Sequence, residues 1–296
     1  VNRKKHVPSM YELGKHYVEN SNTEKLSKGI SLLERAEQNE YPDSFNLLGN
    51  CYLKGIGVVL DVKKAISYFY KAIDAGNLHA KVNLGQCYIE GNGLCLNQEK
   101  GFRILNEAPQ DDPAAKFRIG VCYYKGVGVE HDVEKGIELL KEAVLGDDID
   151  AMCYYGKLLM KGTDVEMNKP EAIKYFRKAA ARGQAEAKFQ LGRVYEEGIE
   201  DVPKDIGQAL DLYKESSNAG FPKAYYRLGK HYFNDLNKKK EGIELFEKAA
   251  DFYDVDALKE LARIYSEGDG APVNQDKADN YLEIAEDPQL YKSKKD

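Results

Sequence analysis

Apolar positions along the chain recur three and four residues apart, the period of one helix face, and not in the alternation of a half-buried strand. Ala80, Leu84 and Tyr88 lie four apart and share a face. After Gly55-Ile56-Gly57, the residues Lys64-Ala65, Tyr68 and Ala72 resume the same spacing. The pattern predicts a helix (A), a turn and a second helix (B). The glycine pair ends helix A, because glycine tolerates the left-handed cap. Asp61 and Asp132 follow the pair where helix B needs an N-cap, and Gly76 closes helix B.

The unit repeats along the chain. A glycine recurs at Gly14, Gly49, Gly85, Gly120, Gly156, Gly192 and Gly229, and Ala262 takes the slot in an eighth copy. Three residues later come Tyr17, Tyr52, Tyr88, Tyr123, Leu159, Tyr195, Tyr232 and Tyr265, which accounts for much of the high tyrosine content. Because Gly85 has no side chain, the paired helix can approach it closely. One hairpin cannot cover its own apolar face; stacked neighbours can. The expected fold is all-α, a solenoid of about eight copies over residues 9–287. The copies are read as 9–43, 44–79, 80–114, 115–150, 151–186, 187–223, 224–256 and 257–287, with a frayed tail at 288–296.

The run Gly49-Asn50-Cys51-Tyr52-Leu53-Lys54-Gly55-Ile56-Gly57-Val58, with Asp61, Lys64-Ala65, Tyr68, Lys71-Ala72 and Gly76, resembles a Sel1-like repeat. Ala115 through Gly120, Tyr123, Gly126, Gly128, Asp132 and Lys135 fit nearly as well. The double glycine separates the pattern from ordinary tetratricopeptide repeats. Copy one departs from it at Ser21-Asn22-Thr23, copies five and six keep only Gly162 and Gly198, and copy seven has a short linker through Asn234-Asp235-Leu236-Asn237. The resemblance implies a right-handed superhelical solenoid whose helix A residues line a concave groove. It also implies an adaptor that gathers other proteins, as in membrane-associated degradation complexes, bacterial signalling and host contact.

Composition narrows the choices. The formal charge of −6 argues against a nucleic-acid binder, which needs a basic face. The longest apolar run, Ile56 to Leu60, is far short of a membrane helix, although association with a membrane protein stays open. No signal-peptide pattern opens the chain, and a mature chain after signal removal would look the same. Five cysteines and no CxxC point to a reducing compartment, read as the cytoplasm.

Candidate chemistry yields to plainer readings. The Gly-x-Gly pairs follow a helix and recur, so they are turns and not phosphate loops. Cys51, Cys87 and Cys122 occupy one register position, filled elsewhere by Leu158, Val194 and Ile264. That is an apolar slot, not a metal ladder, because a packed helix layer separates successive copies. In relatives that the chain resembles, paired cysteines staple each repeat; here they come once per repeat. The five histidines are scattered, and Glu196-Glu197 and Asp147-Asp148 read as solvated acids. Lys238-Lys239-Lys240 reads as a solvated loop. No catalytic residue, cofactor or metal is expected.

By similarity to tetratricopeptide packing, groove positions fall three before, one after, and four and five after the repeat glycine. The candidate peptide-binding residues are Asn46, Asn50, Gln86, Phe117, Val121, Tyr124, Lys125, Lys157, Met160, Phe189, Arg193, Tyr226 and Lys230. Phe117, Val121, Tyr124, Met160 and Phe189 would supply apolar anchors. Lys125, Lys157, Arg193 and Lys230, with Lys161, would form a basic lining for an acidic partner peptide or domain. The alternative for the apolar residues is packing between copies. The leading function is a non-enzymatic scaffold. Two others stay open: an enzyme or regulatory subunit with a site across neighbouring repeats, and an oligomer former using Leu282, Ile284 and Tyr291.

Overall fold

The computed structural model describes residues 6–20, 23–234 and 238–287. Among these residues the chain is all-α, with no strand and sixteen helices. It divides into two compact units, residues 1–151 and 152–296. The first holds α1 (Val7–Asn20), α2 (Thr23–Glu37), α3 (Pro42–Lys54), α4 (Val62–Asp74), α5 (Ala80–Glu90), α6 (Gln98–Asn106), α7 (Pro113–Lys125) and α8 (Val133–Leu145). The second is built from α9 (Ile149–Lys161), whose first residues precede the division, α10 (Lys169–Ala181), α11 (Ala185–Glu197), α12 (Ile206–Asn218), α13 (Pro222–Asn234), α14 (Lys239–Ala250), α15 (Val255–Glu267) and α16 (Gln275–Glu286). Odd-numbered helices are the A helices and even-numbered ones the B helices of the repeat. The Ser21-Asn22 turn, the linker at Asp235–Asn237, Tyr291 and the tail at 288–296 lie outside the described residues.

Most of the hairpins are held by one large helix-B side chain seated on the helix-A glycine. A Cβ added to Gly49 would lie 2.5 Å from Cε1 of Phe69, and one on Gly85 would lie 2.8 Å from Leu105 Cγ. In the second unit, Gly156, Gly192 and Gly229 face Phe176, Tyr213 and Phe246 in the same way. All five of these seated side chains are at most 1% exposed. Burying each contributes about 1.5–3 kcal/mol. Where Gly120 meets α8, the close neighbours are backbone atoms of Gly136 and Leu140 and the Cβ of Leu139.

The turns follow the expected chemistry and add to it. Gly55, Gly91, Gly126, Gly198 and Gly268 cap their A helices in the left-handed region. The second glycine has a different task. Gly128, at φ +69°, lies so close to the Gln98 carbonyl at the start of α6 that a side chain there would overlap it. Gly57 packs likewise against Leu26 and Ile30 of α2, and Gly93 against Val62 and Ile66 of α4. Thus the second glycine joins one repeat to the preceding one. Copy six has Glu200 at this position, also at positive φ, and it pairs with Lys169 at the start of α10.

Asp61 and Asp132 accept hydrogen bonds from the backbone N–H of Lys64 and Lys135, as N-caps should. Asn97, Asn168, Asp205 and Asn274 do the same for α6, α10, α12 and α16. The repeated Lys and Tyr form a pair: Nζ of Lys64, Lys100 and Lys135 donates to Oη of Tyr52, Tyr88 and Tyr123 at 2.7–2.8 Å. Each ammonium also sits 4.1–4.2 Å from the ring centroid. Copy five has Leu159 in place of the tyrosine and Glu171 in place of the lysine, and Glu171 accepts from Tyr175 instead.

Three expectations need correction. Lys239 and Lys240 begin α14 and do not lie in a loop; Lys239 pairs with Asp269 and lies over the Phe233 ring. Asp148 caps α9 by accepting from Ala151 N–H at 2.7 Å, so it is no solvated acid. Glu196 is enclosed by hydrogen-bond donors, described below.

Candidate interaction surface

Helix A presents different residues to the core and to solvent. Its repeat glycine faces helix B. Three residues back is nearly one full turn, so that position stays on the side turned toward helix B. Phe117 and Phe189 occupy it and are 6% and 5% exposed. The Phe189 ring packs 5.6 Å from Tyr213 and 5.2 Å from Phe221. These two phenylalanines belong to the core and not to an open lining.

Asn46, Asn50, Gln86, Val121, Tyr124, Lys157, Met160, Arg193 and Tyr226 are half-buried, while Lys125 and Lys230 are exposed. Several already have partners. Asn83 Nδ2 donates to Asn46 Oδ1 at 2.9 Å, from α5 to α3. Gln86 donates to Glu90 one turn along. Lys157 pairs with Glu186 at 2.6 Å, and Arg193 with Glu197 at 3.1 Å. The Tyr226 ring packs 5.8 Å from Phe246. The basic lining expected in the second unit is therefore partly neutralised by neighbouring acids.

Sequence reasoning passed over the position two before the glycine. Asn83, Gln190 and Arg227 occupy it and are half-buried. With positions one and five after the glycine it makes a three–four spacing on one face, and that spacing was the available signal. In the first unit the result is an amide patch: Asn46 and Asn50 on α3, with Asn83 and Gln86 on α5.

The second unit gathers a set of titratable groups around Glu196. Glu196 of α11 accepts from Tyr213 Oη of α12 and from His231 Nε2 of α13 at 3.1 Å, with Arg227 at 3.5 Å. The His231 hydrogen bond, then Tyr213 and the Arg227 charge, hold the Glu196 carboxyl down at about 2 against the cost of burial. Burial, followed by the bond to Glu196, pushes the Tyr213 phenol far up. The carboxylate is saturated with donors, which suits cross-linking of adjacent repeats more than proton transfer.

Cys51, Cys87 and Cys122 are buried free thiols, each raised to about 11 by burial. Among the described residues no three His, Cys, Asp or Glu side chains are grouped to hold a metal ion. No described helix is long and apolar enough to cross a membrane.

Comparison with known proteins agrees with this architecture. The Sel1 repeat family matches residues 45–77, 78–108, 113–148, 149–184, 185–221, 222–251 and 255–287. These matches cover most of the chain, and it belongs to the Sel1 repeat family. Proteins of this family generally mediate protein–protein interaction. The chain is 37% identical over 84 residues to chitin synthase regulatory factor 4 of Schizosaccharomyces pombe, covering 28% of this chain and 13% of that protein. It is 33% identical over 79 residues to DAP3-binding cell death enhancer 1 of Rattus norvegicus, covering 27% of this chain and 15% of that protein. The chain thus spans only a small part of these two relatives' length. A Sel1 repeat protein from Oxalobacter formigenes superimposes with a TM-score of 0.65 at 27% identity, over 84% of this chain and all of that one.

Proposed function

We propose that this chain is a non-enzymatic adaptor that holds a partner polypeptide along its helix-A face. The observation that carries this reading is the amide patch of the first unit. Asn50 and Gln86 sit at the same register position on α3 and α5, beside the hydrogen-bonded Asn46 and Asn83. An amide side chain both donates and accepts, so a row of them suits the alternating N–H and C=O groups of an extended peptide. Half-buried Val121 and Tyr124 on α7 offer apolar contact and Lys125 offers charge to acidic groups of the partner; in the second unit, taken by itself, Lys230 is exposed on its A helix. One relative is named as a chitin synthase regulatory factor and another as a DAP3-binding protein; both descriptions suit a regulatory adaptor. The buried free thiols suit a reducing compartment such as the cytoplasm. A catalytic site across repeats has less support, since Glu196, the acid at the centre of the gathered cluster, is occupied by its donors.

The test is affinity capture from the native cell extract. It compares the wild-type chain with a Tyr124→Ala, Lys230→Glu double substitution and with Lys63→Ala on the exposed side of α4. The expected result is loss of the captured polypeptide with the first variant and retention with the second. Retention by both variants contradicts the reading.

A further inference from the structure

The seam between the third and fourth helix pairs contains a pocket lined by α6, α7 and α8. The pocket measures about 260 Å³. Ile119 and Leu139 form its walls, and Tyr123, Lys135, Lys116 and Glu142 form its polar rim. One repeat earlier the same places are held by Leu84, Ile104, Tyr88, Lys100, Lys81 and Glu107. Both copies keep the same bonds around the rim: Lys116 to Glu142 at 2.6 Å and Lys81 to Glu107 at 2.8 Å, Lys135 to Tyr123 and Lys100 to Tyr88 both at 2.8 Å.

What differs is the residue that reaches in from the preceding B helix. On α4 it is Tyr70, whose Oη lies 2.9 Å from Tyr88 Oη. On α6 the equivalent residue, next to the seated Leu105 as Tyr70 is next to Phe69, is Asn106. The other B helices have Glu34, Lys141, Arg177, Lys214, Glu247 and Glu283 here, so Asn106 is the shortest side chain at this position. Helix α6 is also curtailed to nine residues, with Pro109 just beyond its end, where the other B helices have 12 to 15. Both changes remove atoms from the same seam, while the apolar walls and the Tyr–Lys pair remain.

We propose that this pocket binds a tyrosine side chain presented by a partner polypeptide. Its ring lies between Ile119 and Leu139, and its hydroxyl bonds to Tyr123 Oη, as Tyr70 does to Tyr88 within the chain. Tyr123 Oη already accepts from Lys135, which leaves its own proton for the incoming oxygen. The site lies between α6, α7 and α8, shares no residue with the proposed helix-A surface and does not depend on that reading.

The experiment titrates N-acetyl-tyrosinamide into the intact chain and follows backbone amide resonances by NMR. The expected result is saturable shifts at Asn106, Tyr123 and Lys135 with a Kd on the order of 1 mM. N-acetyl-phenylalaninamide should bind several-fold more weakly, because it lacks the hydroxyl. Asn106→Tyr should abolish the shifts by filling the pocket from within. Tyr70→Asn should create a second set of shifts at Tyr88 and Lys100, and it decides the matter if Asn106→Tyr does not fold. Absence of saturable shifts at about 20 mM probe, equal shifts in Asn106→Tyr, or a folded Tyr70→Asn variant without the second site would each overturn the proposal.

Discussion

Gly49 of α3 and Phe69 of α4 share one space: the Phe69 ring occupies the volume where a Cβ on residue 49 would stand, 2.5 Å from Cε1. The relationship is reciprocal. Gly49→Ala should cost about 1–3 kcal/mol by overpacking. Combined with Phe69→Leu, which removes the Cε1 atom nearest the new methyl, the loss should be smaller than the sum of the single changes. Denaturant titration of the two single variants and the double variant measures this; strict additivity would place the two residues out of contact.

The same logic applies where the close neighbour is backbone. Gly120→Val brings a branched side chain against the Gly136 carbonyl and the Leu140 amide, 3.1 and 3.2 Å from the position of a Cβ. Backbone cannot rotate away as a side chain can, so the variant should lose about 1–3 kcal/mol or more. An unchanged melting temperature would refute this packing.

Two glycines of one turn should respond differently. Gly126 and Gly128 both have positive φ, +67° and +69°. Alanine at either costs about 1–2 kcal/mol for the left-handed conformation. At 126 the new methyl comes no closer than 3.2 Å to any neighbour, the Cβ of His131, but at 128 it overlaps the Gln98 backbone. Gly128→Ala should therefore be the more destabilising by about a further 1–3 kcal/mol. Equal thermal shifts for the two variants would contradict the role given to the second glycine.

Glu196 makes stability depend on pH in acid. Its folded-state carboxyl is held at about 2, below its ordinary value of 4.5, with the His231 hydrogen bond the largest cause. A group depressed in the folded state contributes stability above its unfolded pKa and loses it as pH falls toward the folded value. The contribution, on the order of 2–3 kcal/mol, should disappear as pH drops from about 4.5 toward 2. Glu196→Gln should be less stable than wild type at neutral pH, and the gap should narrow across that window. A gap constant with pH would show that the carboxylate charge is not the source.

Much of the fold was legible because packing imposes it at a fixed period. A glycine under a large helix-B side chain cannot be exchanged without penalty, so Gly49, Gly85 and Gly192 mark the helix pairs in the sequence itself. The Tyr52–Lys64 type of pair was visible as two recurring residues, but their contact was not, since they belong to different helices. Caps were read from Asp61 and Asp132 and missed at Asn97 and Asn274, because two residue types serve one geometry. On the interaction surface, Phe117 and Phe189 looked like anchors because apolar residues on a polar helix suggest binding. Their direction depends on where the glycine points, and the structure turns them inward. The pocket beside Asn106 was hidden for the opposite reason: it is defined by a residue that is too small, and repeat patterns draw attention to what recurs.

The central claim, that partners bind the helix-A face, is tested most directly by a site-specific photo-crosslinker. It is placed in turn at Asn50, Val121, Arg193 and Lys230 on A helices and at Lys63, Glu134, Lys174 and Glu244 on exposed positions of B helices. After irradiation in native extract, covalent adducts of a partner are expected from the helix-A positions, and none of that same partner from Lys63, Lys174 or Glu244. Adducts arising only from the helix-B positions would contradict it.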